Sequence, residues 1–96
     1  MFKILESEDF IFERNKILSE LYNKTLSEKT VRKVFKNIEN KLFLIKQNPE
    51  MYRKRESNFR IIPLDSYNIL YKVFLDKKII KIYSIVYSAS NYQEYK

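Results

Sequence analysis

The side chains of this chain that have the capacity for chemistry are cations and tyrosines. Lys and Arg number 19 and Tyr 8, while His, Cys and Gly are absent. Without His or Cys there is no zinc finger, no haem axial histidine, no thiol nucleophile and no Ser-His-Asp or Cys-His machinery. Without Gly there is no P-loop and no dinucleotide fingerprint, because both need backbone at positive φ close to a phosphate. Cofactor and metal are therefore both expected to be none. What remains is a basic run, Arg53-Lys54-Arg55, and a tyrosine-rich end with Tyr87, Tyr92, Tyr95 and Lys96. The basic run suits contact with phosphate or with an acidic protein patch, and equally a solvated loop. The tyrosines can stack bases or pack against a sheet. Glu6, Glu8 and Asp9 are carboxylates close enough together for acid–base work or a metal. Their place at the head of a helix gives them the simpler role of complementing its dipole.

Charge points the same way. Against those 19 cations stand 12 Asp and Glu, a net +7, so the partner is expected to be anionic: nucleic acid, an acidic protein segment or an anionic surface. Both halves of the chain share the excess, which therefore belongs to the fold and not to a tail. At 96 residues the length suits one domain, 1–96, and 45% hydrophobic with 16% aromatic content is enough to fold. No apolar run approaches the roughly 18 residues of a membrane span, and Met1-Phe2-Lys3-Ile4-Leu5-Glu6 turns acidic too early for a signal peptide. The expected location is the cytoplasm, with no membrane partner, and the absence of Cys agrees.

The elements that must position these groups can be read from periodicity. Phe2-Lys3-Ile4 alternates as a short strand, and Ser7-Glu8-Asp9 supplies an N-cap and an acidic first turn. A helix is predicted from there to about Asn23, its stripe formed by Phe10, Ile17 and Leu21 with Ile11, Leu18 and Tyr22 beside them. Thr25 with Glu28, or Ser27 alone, can cap a second helix. In that helix Val31, Val34, Phe35, Ile38, Leu42 and Ile45 repeat with helical period, and Pro49 enforces its end. Strands are predicted at Phe59 to Leu64, Tyr67 to Leu75 and Ile79 to Tyr87, with Asp65-Ser66 and Asp76-Lys77-Lys78 as turns. With no glycine available, Asp or Asn is expected at the left-handed positions. In the middle strand Tyr67, Ile69, Tyr71 and Val73 alternate with Asn68, Leu70, Lys72 and Phe74. One face should carry the helices and the other stay partly open as an aromatic and basic surface. Pro63 confines its strand to an edge, a bulge or irregular pairing, and 50–58 reads as an exposed, charged loop.

This order of elements meets a specific run, Arg60-Ile61-Ile62-Pro63-Leu64-Asp65-Ser66-Tyr67-Asn68-Ile69-Leu70-Tyr71-Lys72-Val73. It resembles the pattern of the RelE/ParE family of toxins: Arg, six residues, Tyr, three residues, Tyr. Asn48-Pro49-Glu50-Met51-Tyr52 is similar to the turn after the family's second helix. The strand Ile80 to Tyr87, followed by Asn91 and Tyr92, sits where the family closes its sheet. The resemblance covers nearly the whole chain. It implies an α+β fold, with a short N-terminal strand and an antiparallel two-helix hairpin packed on one face of a twisted, mainly antiparallel sheet of about four strands. It also implies a toxin of a type II toxin–antitoxin pair, held inactive by a cognate acidic antitoxin whose disordered segment folds as it binds.

The family contains two mechanisms. RelE-type members cut mRNA on the ribosome, whereas ParE-type members bind DNA gyrase and cleave nothing themselves. Metal-free RNA cleavage needs a base for the 2′-OH, an acid for the leaving oxygen and cations for the developing charge. If the chain is such a nuclease, the resemblance makes Arg60 with Tyr92 or Tyr95 the catalytic candidates; Arg53, Lys54, Arg55, Asn68, Tyr87 and Asn91 are the candidates for contact with the target or with RNA on either reading. The sequence departs from the nuclease pattern where Ile62, Asn68 and Asn91 stand in place of cations. A tyrosine base, with an ordinary pKa near 10, needs such cations, so the ParE-like reading is preferred. Structural roles are available to the same residues. Tyr67 and Tyr71 can pack the hairpin, Arg60 can pair with Asp65 or Glu94, and Asn91 can shape the final turn. A third reading is a non-toxic, basic nucleic-acid-binding module on the same fold.

Overall fold

The computed structural model describes residues 1–88. The elements are β1 (Lys3–Glu6), α1 (Glu8–Thr25), α2 (Glu28–Gln47), β2 (Arg60–Leu64), β3 (Tyr67–Phe74) and β4 (Ile79–Tyr87), with a single 3-10 turn at Glu56–Asn58. Ser7 caps α1, its hydroxyl accepting from the Phe10 amide, and Glu8 and Asp9 occupy the first turn. Ser27, not Thr25, caps α2 by accepting from the Thr30 amide. Thr25 instead ends α1 and turns its hydroxyl back to the Leu21 carbonyl.

The four strands form one sheet in the order β1-β4-β3-β2. β1 runs parallel to β4, and the β4–β3 and β3–β2 pairs are antiparallel. Pro63 therefore lies on an edge strand, where its missing N–H breaks no central ladder. Both helices cover one face. Phe10, Ile17, Ile38, Leu42 and Ile45 pack there against Ile62, Leu64, Ile69, Tyr71, Ile80, Ile82 and Ile85. Phe35, predicted for the buried stripe, is 40% exposed, and the Arg14 guanidinium lies 5.7 Å from its ring centre. Ile11 and Tyr22 are likewise exposed, because the sheet covers a narrower sector of α1 than its apolar residues span.

Left-handed backbone falls at Leu26, Ser57, Asn58, Asp65 and Lys78. Asn58 and Asp65 match the expectation for a chain without glycine. Leu26, Ser57 and Lys78 do not: geometry at a helix end and in two turns overrides side-chain preference there.

One irregularity shapes the sheet. Leu70 pairs with Ser84 and Tyr71 with Ile82, so Tyr83 is an extra residue in β4. Such a bulge offsets the alternation by one. Ile80, Ile82 and Ile85 can thus all enter the core, although 82 and 85 would face opposite ways in a regular strand.

Candidate functional site

Arg60 and Tyr71 of the family-like pattern face each other in the β2–β3 ladder on the helix side. The Arg60 guanidinium donates to the Tyr52 carbonyl at 2.6 Å and lies 3.6 Å from the Glu50 carboxylate, with its side chain 9% exposed. Its acidic partner among the described residues is Glu50 and not Asp65, because Asp65 sits in the turn at the far end of β2. The Tyr71 hydroxyl is fully buried and donates to the Pro49 carbonyl at 2.8 Å. Burial pushes it up to about 12, against the opposing pull of Arg60 and a backbone hydrogen bond from Tyr52. A hydroxyl so placed stays protonated at neutral pH and has no role as a base. Tyr67, the pattern's other tyrosine, lies opposite Tyr87 with ring centres 5.0 Å apart. Burial, and then Tyr87, raise its pKa too.

The opposite face of the sheet has a different character. By strand alternation it receives Asn68, Leu70, Lys72 and Phe74 from β3 and Lys81 and Tyr83 from β4, and the bulge adds Ser84 opposite Leu70. Lys72 and Lys81 are direct cross-strand partners. Their ammonium groups rest against aromatic rings. Lys72 Nζ lies 4.5 Å from the centre of Phe59 and 5.7 Å from that of Tyr83, and Lys81 Nζ lies 5.0 Å from Tyr83. Phe59 and Tyr83 meet edge to face at 5.2 Å. Like charges directly opposite one another destabilise a ladder, and each cation–π contact returns only about 0.5–1 kcal/mol at a partly exposed site. Neither lysine forms an ion pair with a described carboxylate. The cluster is therefore electrostatically suited to an anion. Beside it a cleft of about 270 Å³ is lined by Lys54, Asn58, Arg60, Lys72, Phe74 and Glu50, among others.

The expected site residues are thus divided. Arg60 is on the helix side, whereas Asn68, 7% exposed, is on the open face. Arg53, Lys54 and Arg55 are exposed on the loop before β2, and of these Lys54 shares the cleft with Lys72. Tyr87 is half exposed at the end of β4, where it lines a groove with Glu20 and Lys24 of α1. Asn91, Tyr92 and Tyr95 lie outside the described residues. Phe59, Lys72, Lys81 and Tyr83 were not singled out from the sequence as site residues. Alternation places Lys72 on the open face, and likewise Lys81 and Tyr83, which alternate with Ile80 and Ile82; that they meet there depends on the β3–β4 register. Among the described residues no group of three or more His, Cys, Asp or Glu could hold a metal. No described helix is long and apolar enough to cross a membrane.

Two crystal structures share this architecture. A chain of the intact E. coli RelBE toxin–antitoxin complex is 15% identical at a TM-score of 0.62, the match covering 94% of this chain and 100% of that one. The isolated E. coli RelE toxin is 15% identical at a TM-score of 0.63, over 99% of this chain and 92% of its own. At that identity the likeness is one of fold. No curated protein matches the chain in sequence. A family model does, over residues 13–92, and its description is the ParE toxin of the type II toxin–antitoxin system parDE. The chain belongs to the ParE toxin family of type II toxin–antitoxin systems.

Proposed function

We propose that this toxin arrests growth in the ParE manner, by binding an essential target such as DNA gyrase, and that it cuts no RNA. The observation that supports this most is the state of Arg60. It is the one catalytic candidate among the described residues, and its guanidinium is buried and committed to the Tyr52 carbonyl and Glu50. Tyr71 beside it is held neutral. The part of the family pattern best placed to carry chemistry is thereby used to hold the hairpin to the loop that follows α2. The surface left for a target is the open face with Lys72, Lys81, Phe59 and Tyr83. A net charge of +7 suits a cognate acidic antitoxin, recruited by electrostatic steering at a rate that falls with salt.

A second reading, a ribosome-dependent mRNA endoribonuclease, draws support from that same open face, since lysines interleaved with aromatic rings also suit single-stranded RNA. Incorporation of labelled thymidine and labelled amino acid, sampled together in the first minutes after induction without antitoxin, separates the two. The ParE-like reading expects DNA synthesis to fall first and purified gyrase to lose supercoiling activity. An earlier fall in protein synthesis, with new mRNA ends, would replace it with the nuclease reading.

A further inference from the structure

β1 pairs with β4 only as far as Glu6 opposite Ile82, and the chain then turns into α1. Residues 83–87 of β4 therefore have β3 on one side and no described strand on the other. The Ser88 amide donates across the sheet to the Ser66 carbonyl at 2.7 Å, so alternation turns the backbone groups of Val86 and Ser84 toward β3 and those of Ile85 and Tyr87 outward. Two of the outward groups are satisfied from α1 and its cap: the Ile85 amide donates to Glu13 Oε1 at 3.1 Å, and the Tyr83 carbonyl accepts from the Ser7 hydroxyl at 2.8 Å. The Ile85 carbonyl and the Tyr87 amide have no partner among the described residues.

A bare strand edge recruits other strands, and natural sheets block theirs with charges, prolines or bulges. The two outer strands of this sheet are blocked in that way, β1 by Lys3 and Glu6 and β2 by Pro63. Ile85-Val86-Tyr87 carries neither a charge nor a proline. On the helix face this edge borders two adjoining hollows of about 230 and 380 Å³, which share Glu20 and Tyr87. Ile17, Leu21 and Tyr67 contribute apolar wall, and the exposed residues Lys16, Glu20 and Lys24 follow one another at four-residue spacing along the α1 rim. With Glu13 engaged by Ile85, that row sets two cations against one carboxylate, and neither lysine pairs with a described acid.

We propose that the β4 edge at 85–87 is a docking site for the antitoxin, which adds an extended segment there as a strand in the line that β1 leaves. The unpaired backbone groups call for an extended chain, the Ile17 and Leu21 wall for apolar side chains at alternate positions, and the lysine rim with a net charge of +7 for acidic ones. The proposal rests on the reading that an acidic antitoxin holds this toxin, and its test separates the two. The probe is the protein encoded beside this one, co-expressed with it and purified as the complex. Isotope-labelled toxin, free and in that complex, is followed by NMR through Tyr87 amide exchange and through contacts from that amide to partner backbone protons.

In the free chain the Tyr87 amide should exchange as an unbonded one does; in the complex it should slow by about tenfold or more and show cross-strand contacts. Tyr87→Ala keeps the amide and loses the ring, whereas Tyr87→Pro loses both without removing a bond to β3. Tyr87→Pro should therefore bind about tenfold more weakly than Tyr87→Ala. Lys16→Glu combined with Lys24→Glu should weaken binding and flatten its dependence on salt. Where Tyr87→Pro unfolds the chain, exchange in the wild type carries the test. A complex in which the Tyr87 amide still exchanges freely overturns the docking site and leaves the antitoxin reading intact. Protection already present in the free chain overturns it as well, the edge then being held by the chain itself or, where protection grows with concentration, by a second copy. Partner resonances with helical shifts and no cross-strand contacts overturn strand addition in favour of a helix in the groove. Failure of the two proteins to associate overturns the antitoxin reading and the proposal with it.

Discussion

Arg60 and Tyr71 stand opposite one another across the β2–β3 ladder, and both reach back to carbonyls of one loop, Arg60 to Tyr52 and Tyr71 to Pro49. Each supplies a buried donor to a carbonyl that ends no helix and pairs with no strand, and such carbonyls are costly when left unsatisfied. Tyr71→Phe deletes only the hydroxyl, so its effect isolates this bond. It should cost about 1–3 kcal/mol in urea unfolding, the penalty for orphaning a buried acceptor. Arg60→Ala should cost about 1.5–3 kcal/mol, mostly through Tyr52, because Glu50 is 57% exposed and its ion pair contributes little. If either variant abolished toxicity at unchanged stability, the residue would belong to the functional surface and not to the loop attachment.

Lys72 opposite Lys81 tests function against stability in a single substitution. Lys72→Glu converts a like-charge pair into a cross-strand ion pair, which should raise stability by about 0.2–1 kcal/mol relative to wild type. The same change removes a cation from the open face and should weaken growth arrest. Thermal melts and plating efficiency after induction give the two numbers. A variant both less stable and fully toxic would show that the pair is neither strained nor used.

The fold was largely legible because its signals are local. Ser7 and Pro49 mark helix boundaries, the spacing of Ile38, Leu42 and Ile45 gives α2 its buried stripe, and alternation in Tyr67 to Val73 gives β3 its two faces. Position in the sheet was legible for Pro63 alone, through its missing donor. The site was less legible because it is assembled by register. Lys72 and Lys81 lie in different strands, and their meeting depends on the register set by the turn between β3 and β4. The bulge beyond them is hydrogen-bonded by Ser7 and Glu13, more than 70 positions away in sequence. Arg60 was visible as a motif residue, but its commitment to Tyr52 and Glu50 depends on how the 50–58 loop folds back, and that loop has no periodicity to read.

Leu26 shows what the absence of glycine costs. It follows α1 at φ 53°, in the left-handed region, with its side chain 76% exposed. A β-carbon there costs about 1–2 kcal/mol, and glycine at this position after a helix avoids most of it. Leu26→Gly should therefore stabilise the chain by about 1 kcal/mol, or roughly 4–8 °C in melting temperature for a domain of this size. Leu26→Ala, which keeps the β-carbon, should give no such gain. Equal melting temperatures for the two variants would mean that the strain is relieved elsewhere.

Glu13 should give folding stability a characteristic dependence on pH. Its pKa is raised from the ordinary 4.5, mainly by burial and further by Asp9, while the Ile85 amide acts in the opposite direction. Between the ordinary and the raised value the folded chain holds a proton that the unfolded chain has lost, so stability falls as pH rises through that window and is level above it. Glu13→Gln accepts from Ile85 without titrating. The unfolding free energy of wild type minus that of Glu13→Gln should accordingly be largest below the ordinary value, decline as pH rises through the raised one and then level off. Asp9→Asn should make the decline shallower by removing one of its causes. A difference that instead rose with pH would mean that the bond from Ile85 to the carboxylate outweighs burial, reversing the order of those two effects.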